Sequence, residues 1–333
     1  MKKTSFNYLF FVILASFFLL LIIEIVLRAF VINSSQLSNY GFNPNGLGDL
    51  LPNKNFVDTG VKRLPYLVIT NSQGLRNEVE IDFAQDNFRI LTIGDSFTYG
   101  PYVNNQDTWQ AVLEKKLKDK FPDKKIQVLN AGVAGYTITD EFEYLKEKGI
   151  KTKPNLIILG IYANDINDLN QEKREIYARE KQKKKTERIF FNFINLAKKT
   201  AFFNFLEKER ILFTIVKNEQ SKNNQAKQID RISKIEIEEY LSYLDKFIHY
   251  TQENNLKLLV ILFPQIEQFE NNSNFPRDDI KNYLVNKNTD YINIYDNFIK
   301  ENYNSFYLVP YNKHLSVIGN NKTALLIKDF IEL

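Results

Sequence analysis

An α/β fold is predicted, with one parallel sheet of about five strands in the middle layer and helices on both faces. Three observations predict it. From Phe88 onward, apolar runs of strand length recur as "FRILTI" (88–93), "IQVLN" (126–130), "NLIILGIY" (155–162), "LKLLVILF" (256–263) and "YINIY" (291–295). Segments with helical spacing separate these runs, and continuous apolar strands between helices belong to sheets buried on both sides. Polar turns rich in Gly and Asn follow several of the runs, at the carboxyl strand ends where such sheets place their active sites.

In chain order, the N-terminus comes first. Lys2 and Lys3 precede "YLFFVILASFFLLLII" (Tyr8 to Ile23), and the apolar character continues past Glu24 to Leu27. That length matches the ~20 residues of a bilayer-crossing helix. "VLRAFVINSS" offers no small-x-small cleavage site, so residues 1–31 are expected to be an uncleaved single-pass transmembrane helix. The two lysines place the N-terminus in the cytoplasm and the body outside it. Residues 32–86 read as a linker and N-terminal extension. Residues 32–64 are rich in Asn, Gly, Pro and Ser with little regular structure expected, and "YLVITNSQGLRN" (66–77) reads as a strand ending in a turn.

Residues 87–333 form the main domain. "DTWQAVLEKKLKDKF" reads as a helix with Asp107 as N-cap and Gln110 completing a capping box. Its Trp109, Val112, Leu113 and Leu117 share one face. Between the third and fourth runs lies an insertion of about 170–235. It is basic and Phe-rich, with twelve Lys or Arg against six Glu from Gln171 to Arg210. A solvated helical hairpin and an element touching a bilayer or a lipid-like substrate both fit that composition.

Composition removes several classes of function. The chain of 333 residues is 44% hydrophobic, enough for a sizeable core, and a net charge of +4 does not suggest nucleic acid. Cysteine is absent and histidine occurs twice, at His249 and His314, so no metal site and no cofactor is expected. His249 sits in a helical pattern and reads as structural.

A serine hydroxyl is a poor nucleophile until an imidazole takes its proton, and the oxyanion it creates needs hydrogen-bond donors. Ser96 stands in "GDSFTYG" just past the first buried strand, and His314 stands in "NKHLSVIGN". Gly132 and Gly135 lie in "NAGVAGYT" after the second strand, and Asn164 lies in "YANDI" after the third. Together these blocks resemble the SGNH (GDSL-type) hydrolases over about Phe88 to Leu333, and "TNSQGLRN" looks like a segment of membrane-anchored, exported members. The resemblance implies a flavodoxin-like three-layer fold, Ser96 as nucleophile and His314 as base. It further implies an oxyanion hole of the Ser96 and Gly135 backbone N–H groups with the Asn164 side chain, and it leaves Asp95 to shape the turn. The family's Asp, two or three residues before the histidine, is replaced by Asn312 and Tyr311. Asn312, a backbone carbonyl or Asp296 are the candidates for orienting His314. A second departure puts Tyr162 where the family often has Gly.

The expectation is a membrane-anchored serine esterase on the extracytoplasmic side, acting on a small ester or on O-acyl esters of envelope glycans or lipids. Alternatives are an O-acyltransferase on envelope polysaccharide and a non-catalytic glycan-binding protein. An imidazole nitrogen within roughly 3–4 Å of the Ser96 hydroxyl is the geometric requirement.

Overall fold

The computed structural model describes residues 2–27, 49–58, 64–162, 165, 166, 169, 200, 202, 234–271 and 276–333. The insertion expected at about 170–235 lies almost wholly outside them. The chain forms two compact units, Met1–Asn39 with Lys183–Ile229, and Tyr40–Gln182 with Asp230–Leu333. In the first unit, helix α1 (Lys2–Val26) exposes large apolar side chains that include Phe11, Ile13, Phe17 and Ile22. Among the described residues no helix is long and apolar enough to cross a membrane. The side chains of α1 are described without a gap only over residues 10–26, fewer than the ~20 that a span needs.

The second unit opens with an antiparallel hairpin of β1 (Asn55–Asp58) and β2 (Tyr66–Ile69). β1 lies inside the segment expected to be irregular. Its four residues, "NFVD", are too few and too polar to signal a strand, and the pairing with β2 supplies the order that local propensity does not. Phe56, Tyr66 and Val68 of the hairpin bury against Tyr99.

The central sheet follows the prediction closely. Its strands are β3 (Asn87–Gly94), β4 (Lys125–Asn130), β5 (Leu156–Tyr162), β6 (Lys257–Phe263) and β7 (Asp290–Asn293). They lie in the order β4-β3-β5-β6-β7, and every pairing is parallel. Side chains alternate between two cores with the period of two that a strand requires. Leu91, Ile157, Leu159, Val260 and Leu262 face α4 (Ile138–Glu147), α5 (Lys234–Glu253) and α7 (Arg277–Asn286). Ile90, Ile158, Leu259 and Ile261 face α3 (Trp109–Lys120) and α9 (Val317–Phe330).

α3 buries Trp109, Leu113 and Leu117 completely, and each such side chain contributes about 1.5–3 kcal/mol. Its N-cap is Thr108, whose hydroxyl accepts from the Ala111 N–H, and not Asp107. Asp107 ends a 3-10 turn (Asn105–Asp107), where its carboxylate accepts from the Asn104 amide at 3.2 Å. Gln110 makes no capping box either, because its side chain reaches the turn that carries Ser96.

Candidate active site

Ser96 opens the single-turn helix α2 (Ser96–Tyr99), directly after β3. One turn is too short to stand by itself, because its carbonyls after Ser96 have no helical partners of their own. Side chains from distant segments fill that need. Asp95 caps the start, its Oδ1 accepting from the Phe97 N–H at 2.8 Å. The indole Nε1 of Trp109 donates to Phe97 O at 3.2 Å, and Gln110 Nε2 donates to Thr98 O at 2.6 Å. Arg76, buried, donates from Nη1 to Tyr99 O at 2.8 Å and to Gly100 O. The same guanidinium reaches Val103 O at 2.6 Å and Asn105 Oδ1 at 3.0 Å. Gly100 ends the turn at φ 81°, its N–H donating to Ser96 O at 2.9 Å. A Cβ on Gly132 would overlap the backbone of Thr98 and Tyr99, so the end of β4 passes α2 only as glycine.

His314 comes from a loop closed at its base by a bridge between Tyr307 and Leu315. Within it Leu308 N–H donates to His314 O, and Asn312 N–H donates to Leu308 O, both at 2.9 Å. Tyr307 ties the loop to the sheet through a 2.8 Å bond to Pro264 O, and Ser316 caps α9 immediately after it. This framework sets His314 Nε2 at 2.9 Å from Ser96 Oγ. The expected pairing is present.

On the other side of the imidazole, Nδ1 meets Asn312 Oδ1. The same Oδ1 accepts from the His314 backbone N–H at 2.9 Å, and that bond fixes which way the amide points. An oxygen facing Nδ1 requires Nδ1 to carry the proton, which leaves the Nε2 lone pair for the serine hydroxyl. Of the two candidates, Asn312 is thus the residue that meets the imidazole. Asp296, the other candidate, lies in α8 (Tyr295–Phe298), where its carboxylate accepts from Asn293 Nδ2 at 2.9 Å. Closeness of strands in sequence order could not separate these two, whereas two-residue spacing in a tight loop decides in favour of Asn312.

His314 is half-buried between aromatic rings, with centroids 5.3 Å from Phe97 and 6.0 Å from Tyr102. Burial lowers its pKa from the usual 6.5 to about 4, so the imidazole is neutral at pH 7. Tyr162 stacks on Phe97 at 3.9 Å. The residue that departs from the family pattern therefore forms the wall behind the serine turn. Gly135 is exposed at φ 85° in the turn between β4 and α4. Asn164 lies outside the described residues, and the next residue, Asp165, accepts from the Tyr162 N–H at 3.1 Å. His249 is on α5, at 3.1 Å from Glu253, far along the chain from these loops. Sequence reasoning missed Arg76 and Gln110, whose partners are mostly backbone carbonyls that leave no trace in a motif. It could have found Arg76 only through its place in "TNSQGLRN". Among the described residues no group of His, Cys, Asp or Glu could hold a metal ion.

A search of curated proteins returned no match. Solved structures similar to this chain include a lipase/acylhydrolase from Enterococcus faecalis at 16% identity and a TM-score of 0.42, covering 73% of this chain and 95% of that one. An acetylxylan esterase from Geobacillus stearothermophilus, solved as a catalytic mutant, gives 16% and 0.43, over 74% and 95% of the two chains. A protein described as lipolytic and of the G-D-S-L family, from Desulfitobacterium hafniense DCB-2, gives 14% and 0.46, over 74% and 100%. The sequence profile that matches is that of the GDSL-like lipase/acylhydrolase family, over residues 92–320. That is more than half of the chain and contains both Ser96 and His314, and the chain belongs to this family of ester-bond hydrolases.

Proposed function

We propose that the protein is a serine esterase in which Ser96 forms an acyl-enzyme and His314 moves the proton. The observation that carries this reading is the continuous set of contacts from Asn312 Oδ1 through the imidazole to Ser96 Oγ, with the 2.9 Å bond at its end. In the first step Ser96 Oγ attacks the ester carbon while its proton passes to Nε2. The imidazolium then returns that proton to the departing alcohol. In the second step water attacks the acyl carbon while His314 takes its proton, and the imidazolium returns that proton to Ser96 Oγ as the bond to it breaks and the acid leaves. Backbone N–H groups of Ser96 and Gly135, with the Asn164 amide, receive the oxyanion. That assignment is taken from the family resemblance.

The substrate class proposed is an O-acyl ester of an envelope glycan or a lipid, met outside the cytoplasm by a domain tethered through residues 1–31. The apolar run of that segment and its two leading lysines support the tether. Transfer of the acyl group to a sugar hydroxyl would use the same acyl-enzyme.

The test uses the full chain in detergent with a fluorophosphonate probe and p-nitrophenyl acetate. Wild type is expected to be labelled and to turn over, and both Ser96→Ala and His314→Ala to lose this. Labelling that survives Ser96→Ala ends the mechanism. An unlabelled wild type favours the glycan-binding alternative.

A further inference from the structure

Behind the serine turn lies a carboxyl group that the reaction above does not use. Glu141, on α4, is fully buried, and neither of its oxygens has a hydrogen-bond partner among the described residues. The groups that act on it are Asp95, before α2, and Asp140, on its own helix. Tyr240 of α5 is also fully buried with its hydroxyl unpartnered among the described residues, and it feels Asp165, Glu141 and Asp95. Four carboxyl groups and one phenol thus share the interior behind the end of β3. Among the described residues they form no metal cage, and no cation is among the groups acting on Glu141.

Carboxyl groups that repel one another in a dry setting cannot all be ionised, so at least one keeps its proton. The hydrogen bonds decide which one. Asp95 accepts from the Phe97 N–H, where the start of a helix favours an anion. Asp140 accepts from the Thr137 N–H at 3.2 Å, and Asp165 accepts from the Tyr162 N–H at 3.1 Å. Each of these three has backbone donors suited to a charged oxygen. Among the described residues Glu141 has none, and burial followed by the charges of Asp95 and Asp140 raises its pKa well above the usual carboxylate value.

We propose that Glu141 is a positioning residue that stores a proton behind Ser96, so that no further negative charge joins that of Asp95 beside the reacting oxygen. Asp95 touches the serine directly, with Oδ2 at 3.3 Å from Ser96 Oγ. A second anion beside it would oppose the charge that grows on the oxyanion and raise the barrier. The effect on rate rests on Ser96 being the nucleophile. The stored proton does not.

The experiment measures the fluorophosphonate labelling rate of the full chain from neutral to alkaline pH, for wild type and Glu141→Gln, with Ser96→Ala as the blank. Glutamine keeps the shape and cannot ionise. Wild type is expected to slow by about tenfold as Glu141 loses its proton, which corresponds to ~1.4 kcal/mol on the barrier. Glu141→Gln is expected to label at the wild-type rate at neutral pH and to lack the alkaline fall. A profile of unchanged shape in Glu141→Gln overturns the positioning role. The infrared C=O band of a protonated carboxyl reads the proton without any reaction. It is expected in wild type at neutral pH, lost on alkaline titration, and absent from Glu141→Gln. Lack of that band in wild type overturns the stored proton, and this reading decides even where the variant does not fold. A chain that shows the band but is never labelled counts against Ser96 as nucleophile and leaves the proton in place.

Discussion

Asn312 puts a neutral amide beside the base, where related hydrolases use an anion. An asparagine replacing the aspartate of a serine protease costs ~10⁴ in kcat because it stabilises the wrong tautomer. Here the amide oxygen faces Nδ1 and its backbone bond prevents a flip, so the correct tautomer is kept and only charge stabilisation is forgone. Asn312→Asp is therefore expected to raise kcat by about tenfold, the difference between a neutral and a charge-assisted hydrogen bond of ~1.4 kcal/mol. Asn312→Leu, which frees the tautomer, is expected to lower kcat by ~10² while leaving KM little changed. Steady-state hydrolysis of p-nitrophenyl acetate checks both.

The pH dependence follows from the same ring. As the proposed base His314 works only when neutral, and its pKa is lowered to about 4. Activity should therefore persist as pH falls from 7 and disappear on passing about 4, with Asn312→Asp moving that limb upward. Stability carries the matching sign. Between the lowered value of about 4 and the ordinary 6.5, the unfolded chain binds a proton that the native chain does not. Stability should fall with pH through that window, and thermal melts of His314→Gln should show a shallower fall. At this scale Ser96 and His314 were legible from their motif blocks. The choice between Asn312 and Asp296 was not, because both are polar residues within reach by topology and only loop geometry separates them.

At the scale of elements, the five sheet strands were legible almost to the residue. Burial on both faces forces each of them to be an unbroken apolar run, as in "LIILGIY" of β5. The start of α3 was less clear, since Asp107 and Thr108 are adjacent and both are good caps; backbone geometry alone assigns the role to Thr108. α2 is the opposite case from the strands, because beyond its Asp95 cap and the Gly100 N–H it is held by side chains from elsewhere in the chain. Arg76 gathers the carbonyls of Tyr99, Gly100 and Val103, and its loss strands several buried acceptors at once. Arg76→Ala is expected to cost about 3 kcal/mol or more, read by denaturant titration, and to slow probe labelling as the turn loosens. Arg76→Lys should recover only part of this, because an ammonium cannot serve carbonyls spread around a fork. Gly132→Ala should also destabilise the fold, through overlap with the backbone of α2.

For the whole molecule, every buried cluster of the esterase unit draws on residues from Leu50 onward. Removal of residues 1–39 is therefore expected to take from the circular dichroism only the helical signal of α1 and to leave the labelling of Ser96 unchanged, while moving the protein from the membrane fraction to the soluble one. Fractionation with parallel labelling checks this, and a truncated chain that stays with membranes would refute the proposed tether.

The bond between Ser96 and His314 joins residues 218 positions apart. The histidine is flanked by α9, which clamps α3 through the Asn320 side chain on the Trp109 N–H. The serine turn thus emerges in synthesis well before the histidine loop and the helix that braces it. A chain stopped before the histidine loop therefore holds the proposed nucleophile without its proposed base, and labelling of Ser96 is postponed by residue order alone.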